Sequence, residues 1–149
     1  MAEIWKPVPS LDGVMASSEG RLLLPPRHAA LPNGGVRLYR TKPVIGVVAR
    51  ASKDAQHEYR NYWSRQYGNV KVHQAVCEAF HGPKPFPTAV VIHVDEDSLN
   101  NRPENLKWGT QKENLNAPGV RAYQSKKAKS LHRVRGAGTR GGFARREVA

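Results

Sequence analysis

The sequence predicts an α+β fold built of short elements, and three observations predict it. Gly (13) and Pro (11) are frequent among the 149 residues, which favours many turns over long helices. Residues 88–94 (TAVVIHV) run through β-formers into polar residues, as a strand entering a loop does. Val72, Val76, Ala79 and Phe80 fall at i, i+4, i+7 and i+8, which makes one apolar stripe on a helix.

The remaining elements follow in order. Residues 3–24 set short apolar stretches around Ser17-Ser18-Glu19-Gly20, a pattern for a small hairpin with Gly20 at positive φ. Pro25-Pro26 breaks any regular element, and residues 31–36 (LPNGGV) signal a second turn. Residues 44–48 are a short β-branched run and a predicted strand. Residues 57–67 (HEYRNYWSRQY) read as a strand, with a helix as the alternative. Gly82-Pro83 stops the helix over 72–80. Residues 95–104 form a loop of acids, Asn and Pro, and residues 106–108 a short returning strand. Thr110 and Glu113 have capping-box spacing, so a helix begins there with Asn114 in its first turn. After Pro118 the apolar periodicity fades, and residues 126–149 read as a mobile basic tail.

Composition narrows the function classes. A chain of 149 residues has room for one modest core or a small core with appendages. No apolar run approaches the roughly 20 residues needed to span a bilayer. No apolar signal segment opens the chain, so a cytoplasmic site of action and no membrane partner are expected. The single cysteine, Cys77, excludes an internal disulfide and a zinc site built mainly from thiolates. Its apolar neighbours predict a buried core thiol. The formal charge of +12 points to a polyanionic partner, DNA or RNA. The charge is uneven: residues 1–116 hold 15 Lys and Arg against 11 acids, whereas residues 117–149 hold 9 against one.

One stretch carries chemistry. His93 sits where a strand meets a loop, with Asn105 and Asn114 downstream. The run IHVDEDSLNNRPENLKWGTQKEN contains His93, Asp95, Asn100-Asn101, Arg102-Pro103-Glu104-Asn105-Leu106, Trp108, Thr110 and Glu113-Asn114. It closely resembles the HNH nuclease motif, in the branch associated with phage and intron homing endonucleases. The preceding VHQAVCEAFHGP is similar to the helix that usually leads into that motif. The resemblance is strong over about 72–116. It continues weakly into Trp5-Lys6, Ser17 and Gly20-Arg21, which look like a small DNA-binding module.

The resemblance implies a ββα-metal (His-Me finger) nuclease core. By it, His93 is the general base, Asn105 pins the long loop, and Asn114 binds a divalent metal. Hydrolysis of a phosphodiester needs an activated water and a cation on the departing oxygen, and a histidine pKa suits a base at working pH. One departure matters: Ile92 stands where the family commonly has a second metal ligand. Three options remain open. The metal is held by Asn114, phosphate and water alone; Asp95, on the strand face of His93, assists; or the protein binds DNA and cuts poorly.

The resulting expectation is a β-rich DNA-binding module over 1–55, a nuclease domain over 56–117 and a flexible basic tail over 118–149. Mg²⁺ or Mn²⁺ is the expected cofactor, one ion per site, because soft ligands are lacking. DNA is the expected partner of a monomer or weak dimer, with Arg21, Arg60, Arg65, Arg102, Lys126, Lys127 and Lys129 as candidate contacts. His73 and His81 are expected to pack or to touch phosphate. The rival readings are an HNH-fold protein that binds DNA or RNA without cutting, and a basic structural protein of a ribonucleoprotein. The resemblance also implies a phage- or intron-encoded protein acting in a bacterial cytoplasm.

Overall fold

The computed structural model describes residues 2–39, 42–53 and 55–136, with side chains as far as residue 130. The chain divides into two units, Met1–Gln111 and Lys112–Ala149. The first is α+β and β-rich towards its N-terminus.

Its first sheet joins β1 (Trp5–Pro7), β2 (Met15–Ser17) and β3 (Leu22–Leu23) in antiparallel order. The tight link from β2 to β3 is built by a single side chain. Ser17 is buried, and its Oγ accepts hydrogen bonds from the Glu19 and Arg21 N–H groups, while Gly20 takes φ 74°. A separate hairpin pairs β4 (Arg27–Ala30) with β5 (Val36–Tyr39) across the predicted LPNGGV turn, where Gly34 has φ 82°.

The strand expected over 44–48 is displaced. Gly46 lies at φ 82°, so the run is broken: Val44 bridges to Leu22, and β6 begins only at Val47 (Val47–Arg50). β6 pairs with β7 (Glu58–Ser64), so residues 57–67 resolve as a strand. β7 in turn pairs with β8 (Gly68–Lys71), which periodicity did not signal. Helix α1 (Val72–His81) follows at once and ends at Gly82, φ 87°. β9 (Val90–His93) and β10 (Leu106–Gly109) form an antiparallel hairpin, with a short 3₁₀ turn at Pro103–Asn105 before the return strand.

One core unites residues far apart in the chain. Val8, Val14, Ala16 and Leu22 from the first sheet pack with Val70, Val72, Ala75, Val76 and Cys77, and with Leu106 of β10. The α1 stripe predicted from spacing is the surface that meets them. Cys77 is fully buried, and burial pushes its thiol up to about 12. Two polar clasps fix the β9–β10 hairpin to the end of α1. His81 Nε2–H donates to the Pro103 carbonyl at 2.7 Å, and Trp108 Nε1–H to the Gly82 carbonyl at 3.0 Å.

The second unit opens with the short helix α2 (Gln111–Leu115) and continues as α3 (Pro118–Gly136). The strand, loop, strand, helix order read from residues 88–116 is thus β9, β10, α2. Residues 118–136, expected within the flexible basic tail, form a helix. Pro118 stands at the first helical position, and Ala, Lys, Arg, Gln and Leu are good helix formers even without an apolar stripe. Residues 137–149 lie outside the described residues. Among the described residues, no helix is long and apolar enough to cross a membrane.

Candidate active site

The site is built on the loop between β9 and β10. His93 ends β9, and Leu106, its cross-strand partner, is locked into the core. The nine residues between Asp95 and Asn105 would wander without a brace, and Asn105 supplies one. Its Oδ1 accepts from the Asp95 N–H at 2.9 Å. Its Nδ2 donates to Asp95 Oδ1 at 2.8 Å and to the Asn100 carbonyl at 2.9 Å. Asn105 is buried, so its amide meets less competition from water than an exposed one would.

Asp95 completes the brace. Its Oδ2 accepts from Asn100 Nδ2 at 2.7 Å, and its Oδ1 also accepts from the Asp97 N–H at 2.8 Å. Partial loss of solvation opposes ionisation, but these hydrogen bonds outweigh it and hold the Asp95 carboxyl below its usual range. Oδ2 has one described donor and so keeps an exposed lone pair.

The loop also presents Asn101 to His93. Asn101 is buried, and its Oδ1 lies 3.3 Å from His93 Nε2. In the tautomer that pairs with this amide oxygen, Nε2 carries the proton and Nδ1 is the basic nitrogen of the neutral ring. Behind His93 sits a second imidazole. His73, the second residue of α1, lies 5.5 Å from the His93 ring, and the Tyr59 ring is 5.0 Å from His73 and 6.2 Å from His93. Burial drives the His73 pKa down to about 3, aided by His93 and Lys71, so His73 is neutral. Its Nδ1 is buried and has no partner among the described residues. Burial likewise lowers the His93 pKa, against the upward pull of Asn101, Asp95 and Asp97. The unprotonated, basic form is therefore favoured at neutral pH.

Ile92 is buried at 9% exposure and faces away from this chemistry as part of the packing. Among the described residues, no three His, Cys, Asp or Glu side chains gather where they could hold a metal. On the loop, the exposed position on Asp95 Oδ2 is a hard oxygen donor, of the kind that suits a hydrated Mg²⁺ or Mn²⁺ better than zinc. Asn114 belongs to α2 in the second unit, where its carbonyl accepts from the Ala117 N–H at 3.4 Å.

The candidate DNA contacts are scattered. Arg21 is paired with Glu3, and Arg102 with Glu19 at 2.7 Å. Arg60 pairs with Val48 on the face of β7 that also carries Tyr62, and Arg65 is exposed in the β7–β8 turn. Lys126, Lys127 and Lys129 are exposed on α3. Sequence reasoning gave no role to Asn101 against His93, and missed the approach of Tyr59 and His73 to it. Alternation along 59, 61 and 63 was the available signal for Tyr59. Nothing local could have announced the other two.

Residues 70–116 match the family model of the HNH endonucleases. The matched stretch contains α1, β9, the braced loop, β10 and α2, and with them His93, Asn105 and Asn114. The chain is also similar to a solved structure described as DNA binding and cleavage by the HNH homing endonuclease I-HmuI. That match has 23% identity, covers 85% of this chain and 68% of that one, and has a TM-score of 0.46. No curated protein matches the chain.

Proposed function

We propose that the protein is a metal-dependent HNH endonuclease that hydrolyses phosphodiester bonds of DNA. The observation that carries this reading is the pairing of His93 Nε2 with Asn101 inside the HNH segment, which leaves Nδ1 as a base on a loop pinned by Asn105.

In the proposed step, His93 Nδ1 takes a proton from water as the water oxygen attacks phosphorus. The bond from phosphorus to the 3′ oxygen breaks, leaving a 5′-phosphate and a 3′-hydroxyl that takes its proton from solvent. Asn101 holds the imidazole through Nε2–H, and gains strength as the ring becomes cationic. Asn105 and Asp95 keep the loop in place. Asn114, with Asp95 Oδ2 as a second donor, would hold the divalent ion. Its chemistry is to neutralise charge on the departing oxygen. The Lys residues of α3 supply non-specific, salt-sensitive backbone contact. One site per chain makes a nick the simplest product. A homing role, with the gene borne by a phage or intron and action in a bacterial cytoplasm, extends the same reading.

A second reading has an observation of its own. Ile92 fills the position where the family commonly places a metal ligand, and it is part of the packing. The protein would then bind DNA without cutting it.

Plasmid relaxation by purified protein with Mg²⁺, Mn²⁺ or EDTA, beside His93→Ala, separates the two. The nuclease reading expects metal-dependent nicking or linearisation that the variant loses while keeping DNA affinity. Salt-sensitive binding with no cleavage in either protein would establish the binder.

A further inference from the structure

The β6–β7–β8 sheet has one face turned to the core and one left open. Tyr62 and Val70, cross-strand partners, lie against the core. The alternate residues line an open groove of about 510 Å³: Val47, Tyr59, Asn61, Trp63, Asn69 and Lys71. Trp63 is 72% exposed and Val47 73%, which is unusual for a large indole on a regular strand. Tyr59 lines the groove, and its ring stands 6.2 Å from that of His93 in the candidate active site.

We infer that this groove holds the DNA strand beside the scissile phosphate, with one unstacked base lying on Trp63. This rests on the nuclease reading for the role of His93, but not for the binding itself. Three features select a nucleotide strand over an apolar protein surface. Lys71 lies directly across from Asn61, which places a cation beside the groove floor, and Arg50 adds a second at the rim, shared with Glu58 at 2.8 Å. Asn61 and Asn69 line the groove with amide side chains, a residue type that can hydrogen-bond the edge of a base. The indole offers a stacking face of the kind that binds single strands with little regard to sequence. A base drawn onto Trp63 would leave its neighbouring phosphates near Lys71 and Tyr59, on the path to His93.

The test is the affinity of the full chain, in EDTA, for a single-stranded DNA oligonucleotide carrying 2-aminopurine, whose fluorescence is quenched on stacking. Wild type should quench the probe. Trp63→Ala should abolish the quenching and weaken binding roughly 10-fold with an unchanged salt slope, whereas Trp63→Phe should keep both. Lys71→Ala should lower the salt slope by about one charge. An unchanged affinity and quench in Trp63→Ala would overturn the inference, even if plasmid nicking is intact. Trp63-dependent binding without nicking would instead overturn the nuclease reading and leave the groove standing. A wild-type chain that binds no DNA would overturn both.

Discussion

The β9–β10 hairpin and the β4–β5 hairpin have the same topology and opposite characters. In the second, turn chemistry does all the work. Asn33 Oδ1 accepts from the Gly35 N–H, Gly34 takes the left-handed conformation, and Val36, Leu38 and Tyr39 remain exposed. In the first, a long loop is held by side chains. Asn105, Asp95 and Asn100 bind one another, Asn101 meets His93, and the loop is clasped to α1 through His81 and to the first sheet through Glu19. A hairpin needs only a turn to form. A loop that must hold a reactive imidazole in place needs buried polar bonds, whose loss is expensive.

Acid should break the first region and spare the second. His73 has a folded pKa of about 3 against an ordinary value of 6.5. Between those values the unfolded chain binds the extra proton, so stability is full above pH 6.5 and falls as pH drops through the window. Urea midpoints taken from neutral pH downwards should decline steeply in wild type, by several kcal/mol in all. In His73→Leu most of that slope should vanish. An equally steep decline would show that His73 is not the buried neutral group.

Asn105→Ala removes three hydrogen bonds at once and leaves the Asp95 N–H without its partner. The expected cost is on the order of 3 kcal/mol, read from chemical denaturation, together with loss of any nicking activity. Asn33→Ala in the other hairpin should cost well under about 1 kcal/mol.

The smallest pair compares two glycines of the same backbone class. A Cβ on Gly20 would meet the Asn101 backbone at 3.0 Å, whereas one on Gly34 would meet nothing. Gly34→Ala should cost only the left-handed penalty, about 1 kcal/mol, and leave activity alone. Gly20→Ala should cost roughly twice that and also disturb nicking, because Asn101 holds His93. Equal losses in the two variants would mean that the Gly20–Asn101 contact carries no strain.

Much of this was legible before any coordinates. The α1 stripe, the stop at Gly82, the LPNGGV turn and the strand–loop–strand–helix order all rest on local periods or on glycine's freedom, and these act within a few residues. The segment that matches the HNH family model was legible because its polar residues are spaced by one loop. β8 was not, because Gly68, at φ 70°, and Asn69 are poor strand formers and the strand exists only through its pairing with β7. The helical state of residues 118–136 was hidden for the opposite reason: it relies on propensity without an apolar stripe.

By itself, the sequence determined the basic charge, the turn positions, the core face of α1 and the residue types available for catalysis. Tertiary structure alone decided which of them meet. His73 reaches His93 across the fold, Asn101 packs on Gly20, Arg102 is spent on Glu19, and one face of β7 is buried while Trp63 is left open. The reason is physical. Backbone preferences are summed residue by residue, but burial and buried hydrogen bonds exist only once distant segments have closed around them.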